Sequence, residues 1–125
     1  MKRIVKFRGK SKRTGEWLYG DLEYNRKKGI ARIHTYTPDG EYEGQEIVDE
    51  ETVGQFTGLY DEGGKAVYEG DILRQGDGLT VVNWYDGGFC DLVCNVIISI
   101  LDIEDSQVIG NIHDNPELLN KKINQ

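Results

Sequence analysis

The sequence predicts a mostly β protein: an N-terminal β region, then a small barrel, closed by a short C-terminal helix. Apolar residues alternate or cluster at strand length along nearly the whole chain, and no stretch of roughly 11 or more residues sustains helical periodicity. Glycine supplies 16 of the 125 residues, about twice its ordinary share, whereas proline occurs only at Pro38 and Pro116, so many tight turns separate short extended segments. Short strands at this spacing, five or so in the later part of the chain, are the pattern of a small barrel.

The first group of strands is Arg3–Arg8, Trp17–Tyr24 and Ile30–Thr37, followed by the turn Thr37-Pro38-Asp39-Gly40, in which proline pre-sets φ and glycine accepts a positive φ. The second group is Gln55–Tyr60, Ala66–Arg74, Leu79–Tyr85, Phe89–Cys94, Val96–Leu101 and Val108–Ile112, divided by turns such as Gln75-Gly76-Asp77-Gly78. Leu79–Tyr85 carries apolar residues on both faces, as a doubly covered strand does. At the C-terminus Asn115 is placed to cap, Pro116 sits at the first helical position, Glu117 suits the positive end of the dipole, and Leu118 and Leu119 anchor the helix. A weaker helical turn is readable at Glu51-Thr52-Val53, against Gly54. The acidic stretch Glu41 to Glu51 reads as a joint, dividing an N-terminal β sub-domain, 1–50, from a barrel with its terminal helix, 51–125.

The longest apolar run, Val96 to Leu101, is interrupted by Ser99 and falls far short of the ~18 residues of a membrane span. The N-terminus has charge but no apolar h-region, so no secretory signal is expected and the cytoplasm is the expected location. Cys90 and Cys94 share a strand-like segment; four residues of strand cover ~13 Å, beyond the ~7 Å limit between disulfide-linked Cα atoms. Zinc would need two more ligands, and His34 and His113 stand in no paired motif, so neither metal nor cofactor is expected.

Four blocks carry a resemblance: Gly15-Glu16-Trp17-Leu18-Tyr19-Gly20, Glu51-Thr52-Val53-Gly54-Gln55-Phe56-Thr57-Gly58-Leu59-Tyr60-Asp61, Val67-Tyr68-Glu69-Gly70-Asp71-Ile72, and Val108-Ile109-Gly110-Asn111-Ile112-His113-Asp114-Asn115-Pro116-Glu117-Leu118-Leu119. In this order they resemble the YopX family of phage and prophage proteins, over all but Phe89 to Ser106. The resemblance implies a phage or prophage origin and a later region similar to an SH3-like barrel; it implies no activity and no catalytic residues.

Charge is strongly polarised: residues 1–32 hold eleven Lys/Arg against three Asp/Glu, and the remainder four against nineteen. Such a chain can pair its own halves, pack with copies of itself, or offer a basic face to a polyanion. The candidate nucleic-acid-binding residues are Lys2, Lys6, Arg8, Lys10, Lys12, Arg13 and Trp17, with Phe7 and Tyr19 adjacent and Trp84 as a second stacking candidate; cations that neutralise phosphates beside rings that stack on bases are what such a groove needs. The opposing expectation is a self-paired strand with Phe7, Trp17 and Tyr19 in the core. Asp61, Glu62, Glu69 and Asp71 could serve acid–base or metal chemistry, but read first as turn residues bonded to nearby amides. Gly63-Gly64-Lys65-Ala66 lacks the spacing and the hydroxyl of a phosphate loop, and Ser11, Ser99 and Ser106 sit in no nucleophile elbow. The expected role is a non-enzymatic binding or assembly module that forms a homo-oligomer or meets a phage or host protein. A nucleic-acid-binding accessory protein is the alternative.

Overall fold

A computed structural model describes residues 4–85, 88–91 and 103–119, with side chains described for 4–83 and 103–119. Nine strands lie among the described residues: β1 (Phe7–Ser11), β2 (Trp17–Asn25), β3 (Ile30–Tyr36), β4 (Tyr42–Tyr60), β5 (Ala66–Tyr68), β6 (Asp71–Gln75), β7 (Gly78–Tyr85), β8 (Gly88–Asp91) and β9 (Gln107–Asn111). The expected mostly β class is what the chain adopts, in two antiparallel sheets ordered β1-β2-β3-β4-β5 and β8-β7-β6-β9. A single helical turn at 117–119 stands where the terminal helix was expected.

The chain divides into two compact units, Met1–Phe56 and Thr57–Gln125. Apart from Glu41, the residues read as an acidic joint are part of β4, whose 19 residues contain both the expected 50/51 boundary and the division after Phe56. Gln45, Glu46, Ile47 and Val48 pair in continuous register with His34, Ile33, Arg32 and Ala31 of β3, and Val48 turns inward, so this stretch is strand rather than a solvated connector.

In the first unit the pairings run round a ring. β1 pairs antiparallel with both β2 and β4, and β3 joins β2 to β4. Ala31, Ile33 and Val48 fill the interior, with Phe7, Leu18, Leu22 and Val53 packed against them. Each fully buried aliphatic side chain contributes about 1.5–3 kcal/mol over its exposed state. Closure of so small a ring depends on Gly20: a Cβ there would lie 1.9 Å from the His34 carbonyl oxygen, so only a residue without a side chain lets β2 approach β3 this closely.

The ring also contains a wide bulge. Arg8 pairs with Gly54 while Lys10 pairs with Asp49, leaving residues 50–53 of β4 opposite a single residue of β1. Thr52 staples it, its hydroxyl accepting the Lys10 N–H at 2.9 Å and donating to the Asp49 carbonyl at 2.6 Å. The helical turn read at Glu51-Thr52-Val53 is therefore a strand bulge: Gly54 continues the ladder instead of ending a helix.

In the second unit Val67, Leu73, Val82 and Ile103 form the core, with Leu59 and Val108 against them. The segment read as one strand, Ala66–Arg74, is two, β5 and β6, broken at Gly70 with φ of 94°. The Gly70 N–H donates to the Val82 carbonyl at 2.7 Å and its carbonyl accepts the Ile112 N–H at 2.9 Å, which joins three chain segments at one corner. Ile72, Leu73, Val81 and Val82 are all buried, so β6 and β7 bury residues on both faces, as the apolar run in Leu79–Tyr85 implied. The stretch read as strand Val96–Leu101, and Cys94, lie outside the described residues.

Candidate functional site

Antiparallel register sorts the first unit's side chains into two sets. Phe7, Leu18, Leu22 and Ile33 face inward. On the outside, Arg8 pairs with Tyr19, Lys10 with Trp17, Asp21 with His34, Glu23 with Arg32, Arg32 with Ile47, and Tyr36 with Tyr42. Tyr19, Tyr36, Tyr42 and Ile47 are exposed, so the outer surface of β2, β3 and the start of β4 carries three tyrosines and an isoleucine among charged groups. Trp17 and Tyr19, expected in the core, belong to this outer set: Leu18 and Leu22 take the inward positions of β2, and the period of two sends their neighbours outward.

A chain of polar contacts ties the face together. His34 Nε2 lies 2.7 Å from Glu23 Oε1, and its Nδ1 lies 3.0 Å from the Tyr42 hydroxyl. The Tyr42 ring packs edge-on against Tyr36, with centroids 5.6 Å apart. A hydrogen bond to Asp21 raises the Tyr36 phenol above its ordinary pKa, because ionising it would set two anions side by side. Carboxylate, imidazole and phenol in series have the connectivity of an acid–base relay, but here they lie on an open sheet face with Tyr42 at 56% exposure, where water screens every charge. Rigid aromatic rings pinned by hydrogen bonds suit contact with another surface better than proton transfer.

This cluster was absent from the sequence-based candidates, which treated the histidines as scattered. Its signal lay in register. With Asn25 opposite Ile30 across the turn, counting back along both strands puts Glu23 and Asp21 beside His34.

The basic candidates are distributed differently from a phosphate-binding groove. Arg8 is 6% exposed, its guanidinium 4.6 Å from the Trp17 ring centroid, and Lys10 Nζ lies 5.7 Å from the same ring. Lys6 Nζ stands 4.9 Å from the Phe56 ring centroid. These cation–π contacts cover the aromatic faces that base stacking would use. Arg13 is bonded to Glu46, Nε to Oε1 at 3.1 Å, and that partnership holds the Glu46 carboxyl below its usual range. Lys12 is exposed, Lys2 lies outside the described residues, and the Trp84 side chain is likewise not described. The structure thus brings Arg8, Lys10 and Trp17 together and places Arg13 in an ion pair at one mouth of the ring, which is also lined by Glu16, Glu43 and Glu46.

Of the four acidic candidates, Asp61 and Asp71 serve the backbone. Asp71 is buried and its Oδ2 accepts the Tyr68 N–H at 2.8 Å. Asp61 accepts the N–H groups of Gly63, Lys65 and Val108 at 2.8–2.9 Å. Partial burial pushes its carboxyl up, but these donors outweigh burial and hold it below the ordinary value. The Asn111-Ile112-His113-Asp114-Asn115 block is similar: Asn111 Oδ1 accepts from His113 and Asp114, while Asn115 Oδ1 accepts from Asn111 at 3.2 Å. Asn115, expected to cap the terminal helix, takes the Leu118 N–H with its backbone carbonyl, while its side-chain oxygen closes the preceding turn. Among the described residues no three His, Cys, Asp or Glu side chains gather as a metal site, and no helix is long and apolar enough to cross a membrane.

Fold and face together define a small, two-unit antiparallel β scaffold with an aromatic outer surface. The YopX protein family model matches residues 6–120, and the chain belongs to that family. The crystal structure of protein EF1440 from Enterococcus faecalis is similar to it, with 25% sequence identity, a TM-score of 0.58, and coverage of 94% of this chain and 99% of that one. No curated protein matches the sequence.

Proposed function

We propose that this YopX family member is a non-enzymatic binding or assembly module, made from a phage or prophage and acting in the bacterial cytoplasm, that forms a homo-oligomer through the outer face of its first unit. The observation that carries this reading is the row of exposed Tyr19, Tyr36, Tyr42 and Ile47 with His34, Glu23 and Arg32 between them. Tyrosine and arginine are the residues that dominate protein interfaces, since each buries a large area at low entropic cost and keeps a polar tip. Mixed charge on one patch also suits self-association: the face carries both Glu23 and Arg32, so a two-fold related copy can set each against its opposite. The second unit is proposed to be an SH3-like barrel that serves as scaffold.

Light scattering behind size-exclusion chromatography tests it. Wild type should elute as one defined oligomer, and Tyr36→Asp/Tyr42→Asp should elute as a folded monomer. An unchanged oligomer in the double variant would remove this face from the contact.

A nucleic-acid-binding role keeps one supporting observation, the succession of Lys6, just before β1, and Arg8 and Lys10 on it, beside Phe56 and Trp17. Phosphate contacts release counterions, so a gel shift caused by them must appear at low salt and fade steeply as salt rises. Absence of a shift at low salt would end that reading.

A further inference from the structure

At the mouth of the ring formed by the β4 bulge lies a cavity of about 290 Å³ lined by Leu22, Tyr24, Ala31, Glu50, Glu51 and Val53. Its floor is the first unit's core: Ala31 belongs to the buried cluster, and Leu22 and Val53 pack against it. Its rim is polar and of one sign. Tyr24 and Glu50 are hydrogen-bonded, which raises the Tyr24 phenol above its ordinary value, and Arg26 opposes this only weakly. The lining contains two carboxylates and no cation.

The bulge is what puts the carboxylates there. In a regular ladder, residues 50–53 would continue along β1; instead the Asp49-to-Gly54 detour, fixed by Thr52 and by the Glu51 N–H donating to Asp49 Oδ1 at 3.1 Å, carries Glu50 and Glu51 to the open end of the ring. The bonds that hold the bulge use the backbone of Glu51 and the side chains of Asp49 and Thr52. The Glu51 side chain takes no part in the staple.

We infer that this mouth binds an alkylammonium group: an aliphatic stem of a few carbons on the Leu22, Ala31 and Val53 floor, with its ammonium between the Glu50 and Glu51 carboxylates and against the Tyr24 ring. Each part of the lining matches a part of that ligand. The apolar floor takes methylenes from water, the paired carboxylates select positive charge and donate nothing in return, and an exposed tyrosine ring adds cation–π attraction. An anionic or neutral chain of the same length meets the same floor but gains nothing at the rim. The volume sits at the small end of ligand pockets and suffices for one unbranched amine. The same chemistry occurs in a free amine and in a lysine side chain of a partner protein. This site is independent of the aromatic face proposed for self-association.

The test is NMR titration of the full chain, methyl-labelled at Leu22, Ala31 and Val53, with 1-pentylammonium, 1-pentanol and pentanoate. Pentylammonium should give saturable shifts confined to those methyls and weaken as salt rises, while pentanol and pentanoate should bind at least about tenfold more weakly, the ratio that one lost charge contact of modest strength produces. Glu50→Gln/Glu51→Gln, which alters only exposed side chains, should abolish that preference and leave the free spectrum folded. Comparable binding of pentanol and pentylammonium, shifts that never saturate, or an unaltered preference in the double variant would each overturn the assignment. Lysine blocked at both its α-amino and carboxyl groups separates the two sources: tighter binding than pentylammonium identifies a protein-borne lysine as the occupant, and equal or weaker binding identifies a free amine.

Discussion

The two units differ in how the polar residues singled out as candidate sites are held. In the first, polar side chains bond to one another, on an open sheet face as Glu23, His34 and Tyr42 do, or at one mouth of the ring as Arg13 and Glu46 do. In the second they bond to backbone amides at chain corners, as Asp61, Asp71 and Asn111 do. The difference teaches where function is to be sought. A carboxylate that already accepts two or three N–H groups has little capacity left for a ligand, however motif-like its surroundings, whereas rings and charges held on a surface by each other remain available to a partner. The Tyr68-Glu69-Gly70-Asp71 and Asn111-to-Asn115 blocks thus shape the backbone, and the aromatic side chains proposed to meet a partner belong to the first unit.

Gly20→Ala should have the largest effect, because its Cβ would meet the His34 carbonyl at 1.9 Å and β2 must shift from β3. A loss of roughly 3 kcal/mol is expected for such overpacking against backbone, read by denaturant unfolding, with hydrogen-exchange protection lost first at amides of the ring. Equal loss of protection in both units would break the comparison, since it would mean that the two unfold as one.

Asp71→Ala should act on the other unit. It removes the acceptor of the Tyr68 N–H at a buried corner, and an orphaned buried donor costs about 2 kcal/mol. Protection should fall first at β5 and β6, and a drop confined to the ring would refute the assignment of this carboxylate to its corner.

Acid should sharpen the contrast. Asp61 has a folded pKa below its unfolded value, so the stability it contributes is fully present above the ordinary carboxylate range and is lost as pH falls through its lower folded value. Wild type should therefore lose stability across that acidic window more steeply than Asp61→Asn, which lacks the titrating group. Parallel curves for the two proteins would exclude Asp61 as an acid-sensitive staple.

The smallest effect is expected on the aromatic face. His34→Ala breaks contacts at an exposed site, so its stability change should stay within about 0.5 kcal/mol, while the oligomer read by light scattering should weaken. A large loss of stability with an intact oligomer would reverse the roles assigned to the two regions.

Much of the second unit was legible without coordinates. Glycine-bearing turns at Glu62-Gly63-Gly64 and Gln75-Gly76-Asp77 delimit strands at or near their expected places, because turn chemistry is local: a positive φ at Gly64 or Gly76 is a property of that residue and its neighbours. The backbone role of Asp61 was legible for the same reason. The split of Ala66–Arg74 was missed because Gly70 turns the chain inside an otherwise apolar run, and only its bonds to Val82 and Ile112 show the corner.

By itself the sequence determined the β class, the positions of most turns and the alternation that separates inward from outward residues, all of which follow from local sterics and a period of two. Tertiary structure alone decided that β1 pairs on both sides to close a ring, that Trp17 and Tyr19 face outward over Arg8 and Lys10, and that Glu23, His34 and Tyr42 meet. Those outcomes depend on register between strands distant in the chain. A shift of one residue reverses the face of every side chain, and no local preference encodes it until the strands pack.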